Sequence, residues 1–387
     1  MGGYYVKHER GFPMKIALLG HGTVGRGVDE IISSRIDGIE VARILELPQF
    51  ITDERMTSDF DDIVGDPEIE CVVECMGGVE PAHTFIAAAL SAGKSVVTSN
   101  KAVVAEHFDE FVTLANENGV SFKIEASVGG GIPWIASIEK ARRIDEIKSF
   151  SGIMNGTTNY VIESMRLDNL SFEDALKRAQ DLGYAERDPS ADIDGFDVRN
   201  KTLITASVAF SVACTQDVPV VGIRQVTKAD LDFFAERDMT IKLLGKGVCD
   251  GSRYAVCVMP HVINVDSLEA AVPSNFNLCT IDAETVGTLK FYGQGAGSLP
   301  TGNAIVQDVI DVSEGRTSAY DFSRPVELDE TLLKGDYVVR SRVVPESSEP
   351  FMGHDGYHLV RGLVPSEAVA LIEDMRKVDE AALIAAL

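Results

Sequence analysis

Short apolar runs alternate with helically spaced apolar positions through the first third of the chain. Met14–Leu19 (MKIALL) is a six-residue apolar run that stops at Gly20, after which Val24, Val28, Ile31 and Ile32 recur at helical spacing. This predicts a strand followed by an amphipathic helix. The same alternation predicts strands over Val41–Leu47, Glu70–Glu74, Ser95–Thr98 and Ser121–Glu125, and helices over Ala82–Ala92 and Phe108–Asn118. Asp53–Asp62 is acidic and reads as loop. Repeated strand–helix alternation builds a parallel, doubly wound α/β sheet.

After about residue 147 the pattern changes. A strand is predicted over Ile147–Met154 and helices over Tyr160–Arg166 and Glu173–Leu182, the second opened by Ser171 with Asp174 three residues on. Asp197–Cys214 reads as a long, largely apolar helix, and Ile241–Val248, Tyr254–Met259 and Val286–Tyr292 as strands of a mixed sheet. Thr301–Val312 reads as a helix begun after Pro300. Strands near Tyr337–Val344 and Tyr357–Val364 precede a helix from Ser366. The expected organisation is a flexible leader (1–13), a doubly wound domain (14–147), an α+β domain (148–300), a single helix (301–324) and a short C-terminal extension (325–387).

Charge narrows the range of partners. The chain has 387 residues and a formal net charge of -25, which argues against nucleic acid and against an anionic membrane surface, since both call for a basic face. No apolar run reaches the roughly 18 residues of a membrane helix; Leu203–Cys214 is short and contains Thr205, Ser207 and Ser211. The first residues, MGGYYVKHERGFP, lack the apolar core of a signal peptide, so a cytoplasmic location is expected. The six cysteines read as buried thiols, because Cys71 and Cys75 have no matching second pair for zinc. His354 and His358 stand four apart, but Gly356 between them argues against a helical metal pair.

Candidate chemistry starts at Gly20-His21-Gly22-Thr23-Val24-Gly25, placed between a strand and a helix as a dinucleotide-binding turn requires. Gly20 permits the turn, Gly22 lets the backbone approach a pyrophosphate, and Gly25 lets helix and sheet pack closely. Glu46, at the end of the second strand, is the candidate for a ribose 2′-hydroxyl, which favours NAD. An exposed strand-end acid is the competing reading, and Arg43 and Arg55 nearby could reverse the preference. Ser99-Asn100-Lys101 follows the strand Ser95–Thr98, where ligands of open α/β sheets bind. Asp197 and Lys201 stand four apart at the start of a helix and face each other. The rest of that helix is apolar, so its leading charges are expected to line a cleft, where a partly desolvated lysine can exchange protons near neutral pH. The polar turn Gly152–Tyr160 precedes a helix whose first N–H groups could hold a carboxylate. A second glycine turn, Gly293–Gly302, could approach the nicotinamide or phosphates.

Together these segments resemble the homoserine dehydrogenase family. The resemblance spans roughly Met14 to Ser323 and is most specific in SNKAV (Ser99–Val103), EASVGGGIP (Glu125–Pro133), GIMNGTTNY (Gly152–Tyr160) and the stretch Gly183–Lys201, including the spacing of Glu186, Asp197 and Lys201. It implies reversible reduction of L-aspartate 4-semialdehyde to L-homoserine with NAD or NADP, a step toward threonine, methionine and isoleucine. By the same resemblance Lys201 and Lys101 are the catalytic candidates, with Lys201 favoured as proton donor and Asp197 orienting it. Glu186, Thr157 and Gly156, with Asp197 and Lys101, would bind substrate. Gly20, Gly22, Thr23, Val24, Gly25, Glu46, Ser99, Lys101 and Gly297 would bind the cofactor. A monovalent cation, sodium, is implied at Glu125, Val128, Gly130 and Ile132. A homodimer or homotetramer formed through the middle domain is implied, with Thr301–Val312 returning to the nucleotide domain.

The chain departs from the family in two places. Residues 325–387 are short for a ligand-binding ACT-type regulatory domain and show only part of a βαββαβ pattern, which puts threonine inhibition in doubt. Where many members end the second strand in a basic residue or Arg-Asp, this chain has Glu46-Leu47-Pro48, which leaves cofactor choice open. Aspartate-semialdehyde dehydrogenase is a rival reading, but it needs an activated cysteine. A non-catalytic cofactor sensor is another, but it has no need of Lys101, Glu186, Asp197 and Lys201.

Overall fold

The apolar run Met14–Leu19 is buried at every position but Lys15, as a strand flanked on both sides and covered on both faces must be. In the computed structural model, which describes residues 4–5, 13–318 and 320–387, it lies inside a six-stranded sheet. The order is Met56–Thr57, Ile39–Leu45, Met14–Leu19, Ile69–Glu74, Ser95–Thr98 and Phe122–Lys123, and all neighbours are parallel. The chain has two compact units, and this sheet belongs to the first (residues 1–140, 211–213 and 294–324).

Helix Thr23–Arg35 presents Val28, Ile31 and Ile32 to Ile16 and Leu18, and Ile305, Val309 and Ile310 of helix Ser298–Ser313 enter the same core. Each such side chain contributes roughly 1.5–3 kcal/mol on full burial. Helix Ser298–Ser313 starts three residues before the Thr301 expected from Pro300. Pro300 sits in its first turn, where a missing N–H costs no hydrogen bond. Part of the expected loop Asp53–Asp62 is ordered. Met56–Thr57 pairs with Ile44–Leu45, and Asp61–Val64 forms a short helix. The expected strand Ser121–Glu125 shrinks to Phe122–Lys123, because Glu125–Ser127 turns into a 3-10 helix. The flexible leader falls on residues 1–13, of which most lie outside the described residues; Tyr4–Tyr5 pairs with Ile36–Asp37.

The second unit comprises residues 141–210, 214–293 and 325–387. Among the described residues its sheet runs Gly287–Gln294, Phe276–Ala283, Ile147–Ile153, Met239–Cys249, Arg253–Asn264, Leu383–Ala386, Gly335–Arg340, His354–Leu363 and Glu349–Phe351, with Glu327–Leu328 beside Arg253–Asn264. Residues 325–387, expected as a short C-terminal extension, extend this sheet. Pairing of Arg253–Asn264 with Leu383–Ala386 is what joins them. Their order is three strands, one helix (Pro365–Arg376) and a strand after the opening Glu327–Leu328.

Helices Gly156–Leu167 and Phe196–Phe210 pack on the strands of this unit. Phe196–Phe210 is buried from Lys201 to Phe210 without a break. It stops four residues before the expected Cys214, at Ser211, which takes a positive φ of 55°.

Candidate active site

At the glycine turn Gly20 has φ +91°, and a Cβ on Gly25 would stand 2.2 Å from Gly20 O. Only glycine permits both. Helix Thr23–Arg35 then starts at Gly22 with no side-chain cap and no acid in its first turn, so its leading N–H groups and the positive end of its dipole stay available to an anion. A Cβ on Gly22 would meet nothing within 4 Å, which leaves room for a ligand against the backbone. Gly297 (φ +133°) precedes helix Ser298–Ser313, which likewise starts with no side-chain cap, and Ser298 Oγ donates to Thr23 O (2.7 Å). Two helix N-termini thus adjoin. This is an arrangement that fits a pyrophosphate.

Glu46 is anchored over this turn. Its Oε2 accepts from His21 N (2.8 Å) and its Oε1 from Leu47 N (3.1 Å). Arg55 is held by acids instead of being left for a phosphate. Its guanidinium donates to both oxygens of Asp29 (3.0 and 3.1 Å) and to Asp53 (2.8 Å). Asp29 also meets His21 Nε2 (3.2 Å). Arg43 is exposed and donates to its neighbour's carbonyl, Ala42 O (3.2 Å).

Lys101 is the first residue of helix Lys101–Asn118, with Asn100 as its cap. Beneath them lies Glu74, fully buried, which accepts from Thr98 Oγ1 (2.5 Å), Met76 N (2.7 Å) and Asn100 Nδ2 (3.5 Å). Ser99 N donates to Glu74 O (3.3 Å). Burial raises the Glu74 carboxyl above the usual carboxylate range. One buried acid therefore ties the two strand ends that set the height of Lys101.

The second unit holds a connected polar network. Lys201, 8% exposed, donates to Met154 O (2.6 Å) and Asp197 Oδ2 (2.8 Å). Asn155 Nδ2 donates to Asp197 Oδ2 (2.8 Å) and to Asp192 Oδ1 (2.7 Å). The same Asn155 caps helix Gly156–Leu167 by accepting from Thr158 N (2.8 Å). Burial, then the neighbouring Asp197, raise the Asp192 carboxyl. A Cβ on Gly156 would stand 2.5 Å from Asn275 O, so the helix start can lie here only as glycine. Thr157 Oγ1 donates to Tyr184 O (2.5 Å) and so ties down the loop that carries Glu186. Glu186 itself is exposed and stands outside the Lys201 network, with its carbonyl accepting from Gln180 Nε2 (3.0 Å).

At Glu125 the side chain is committed. It accepts from Ile135 N (3.0 Å) and Ala136 N (2.6 Å), capping helix Trp134–Arg142. Its own N–H donates to Asp308 Oδ2 (2.9 Å). Burial pushes its carboxyl up to about 7.

Residues 20–125 match the family model "Homoserine dehydrogenase, NAD binding domain" and residues 133–310 match "Homoserine dehydrogenase". The homoserine dehydrogenase of Synechocystis sp. is 40% identical over 316 residues, covering 77% of this chain and 73% of that protein. The chain belongs to the homoserine dehydrogenase family. A crystal structure of a homoserine dehydrogenase from Thiobacillus denitrificans matches it with a TM-score of 0.85 at 29% identity, over 97% of this chain and 98% of that one. A hyperthermophilic archaeal homoserine dehydrogenase in complex with NADPH matches with a TM-score of 0.67 at 25% identity, over 79% of this chain and 98% of that one. The protein is an oxidoreductase with an NAD(P)-binding domain of parallel-sheet type. Among the described residues no helix is long and apolar enough to cross a membrane.

Three polar residues that shape these centres are not evident from sequence pattern. Glu74 reads as a strand end, Asn155 as part of a polar turn and Asp192 as one acid in a run of acids. The one available signal was the helix-capping position of Asn155, directly before Gly156.

Proposed function

We propose that the chain interconverts L-aspartate 4-semialdehyde and L-homoserine, with the first unit binding NAD(P) and the second binding substrate. The observation that carries this reading is the buried Lys201–Asp197 pair. A buried ammonium fixed by a carboxylate and a carbonyl suits a carbonyl oxygen that gains a proton and negative charge during reduction. The dinucleotide, when bound, supplies or accepts the hydride. Two of the three Lys201 donors are engaged by Met154 O and Asp197, which leaves the third for the substrate oxygen. Asp197 holds the ammonium in place, and Asn155 holds Asp197. Glu186 binds the substrate's ammonium, the start of helix Gly156–Leu167 binds its carboxylate, and Lys101 contacts cofactor and substrate. Thr157 acts by fixing the Glu186 loop.

For the cofactor, Gly20, Gly22, Thr23, Val24, Gly25 and Gly297 hold the phosphates, with Ser99 beside Lys101. Glu46 takes the ribose hydroxyls. A 2′-phosphate would meet a carboxylate there, while Arg55 is held by Asp29 and Asp53, so NAD is preferred over NADP. A sodium ion fits the turn Glu125–Ile132 through the carbonyls of Glu125, Val128, Gly130 and Ile132 alone, since the Glu125 carboxylate is engaged. Glu125 O and Ile132 O each accept one N–H and retain a lone pair. A homodimer or homotetramer is supported by the edge strand Gly287–Gln294, which alternates half-buried and exposed positions along an outer sheet edge. The six free thiols suit a reducing cytoplasm.

The test is dinucleotide reduction driven by L-homoserine, with NAD and NADP assayed separately. Turnover with NAD is expected, with a lower kcat/KM for NADP that Glu46→Ala raises. No turnover with either dinucleotide by folded protein would overturn the activity. Unchanged NADP use in Glu46→Ala would remove Glu46 from the ribose site.

A further inference from the structure

We propose that His83, His107 and Glu110 of the first unit form a binding site for a zinc-class divalent cation. His83 lies in helix Ala82–Ser91, and His107 and Glu110 lie one turn apart in helix Lys101–Asn118. Glu110 Oε2 stands 2.9 Å from His83 Nε2 and 3.3 Å from His107 Nδ1. All three ligand atoms lie within 4.8 Å of one another. An ion bonded to nitrogen and oxygen at about 2.0–2.1 Å needs ligand atoms about 3.4 Å apart at the corners of a tetrahedron. Two of the three separations already approach that value, and the third is no more than 4.8 Å.

The surroundings match those of a metal-binding histidine. Such a ring directs its second nitrogen to a carboxylate or carbonyl, which fixes the ring and the tautomer. His83 Nδ1 meets Glu80 Oε1 at 3.0 Å, and His107 Nε2 faces Glu106 Oε1 at 3.8 Å. The outward nitrogen of His83 is thus hydrogen-bonded to a carboxylate, and that of His107 has a carboxylate nearby, beyond hydrogen-bond distance. The rings stack on each other with centroids 3.9 Å apart, over the buried Phe111 at 5.7 and 6.0 Å. Helix Lys101–Asn118 leaves helical geometry at one residue, His107 (φ -125°, ψ 20°). The departure falls on the residue that carries a ligand. Imidazole with carboxylate suits zinc better than calcium or magnesium. Three protein ligands leave a fourth position for water.

The experiment titrates Zn2+ into the full chain against a chromophoric chelator. One zinc per chain is expected for the wild type. His83→Ala/His107→Ala should abolish that binding without changing homoserine-dependent turnover. Glu80→Gln should weaken binding about 10-fold to 100-fold. Equal binding by wild type and double variant, or no stoichiometric zinc on the wild type, overturns the proposal. A reading on the unaltered chain guards against a variant that misfolds. Co2+ should give the strong visible bands of a tetrahedral site, lost on adding Zn2+. The faint bands of an octahedral ion would overturn it.

Discussion

At the glycine turn Gly20–Gly25 the groups offered to a ligand belong to the backbone, whereas around Lys201 they belong to side chains. The turn is six contiguous residues whose requirements are steric: a positive φ at Gly20 and no Cβ at Gly25. The Lys201 network draws on Met154, Asn155, Asp192, Asp197 and Lys201, and its requirement is mutual satisfaction of buried polar groups. A backbone site tolerates change in the side chains around it. A network of buried charges does not, because each member removed leaves another without its partner.

The widest break in this contrast is expected at Asp197. Asp197→Ala leaves the buried Lys201 ammonium and Asn155 Nδ2 without their shared acceptor. Stability should fall by about 3–5 kcal/mol in urea unfolding, and kcat by about 100-fold, with NADH affinity unchanged. At the turn, Gly25→Ala forces a Cβ against Gly20 O. The cost of overpacking, about 1–3 kcal/mol, should appear as NADH binding weakened by about 10-fold to 100-fold in fluorescence titration. Retained affinity would mean that the turn is softer than its geometry requires. Asn155→Ala removes a helix cap and the donor shared by two carboxylates. Thermal unfolding should show a loss of about 1 kcal/mol from the cap, with kcat reduced about tenfold and cofactor binding intact.

A pH-dependent effect, absent at neutral pH, lies away from both centres. His261 is buried against Met259 O, and burial with the nearby Lys246 holds its pKa at about 3. Its folded value is below the ordinary 6.5. As pH falls from 6.5 toward 3, the unfolded chain takes up a proton that the folded chain refuses. The His261 contribution is therefore full above 6.5 and is lost on acidification, by about 1 kcal/mol per pH unit. His261→Gln should flatten the acid limb of unfolding free energy against pH; an unchanged slope would assign it elsewhere.

The same contrast explains what could be read before folding. Strand Met14–Leu19, its glycine turn and the following helix are legible because an apolar run, a steric turn and a 3.6-residue period are all local. Lys201 and Asp197 are legible as a pair because four residues separate them on one helix. Asn155 and Asp192 are not, since only folding brings them together, 42 and 5 residues before Asp197. Phe276–Ala283 escapes the pattern because it is buried at nearly every position and so lacks alternation. Trp134–Arg142 escapes because its capping acid, Glu125, reaches it from nine residues upstream. Residues 325–387 show local strands, but their place beside Arg253–Asn264 depends on a pairing across more than a hundred residues.

The measurement closest to the central claim is made on Lys201→Ala, with kcat for homoserine-driven NAD reduction and the Kd for NADH taken from one preparation. The expected result is kcat lowered by about 10²–10⁴-fold at an unchanged Kd. Turnover at the wild-type rate would contradict the assignment of the proton to Lys201.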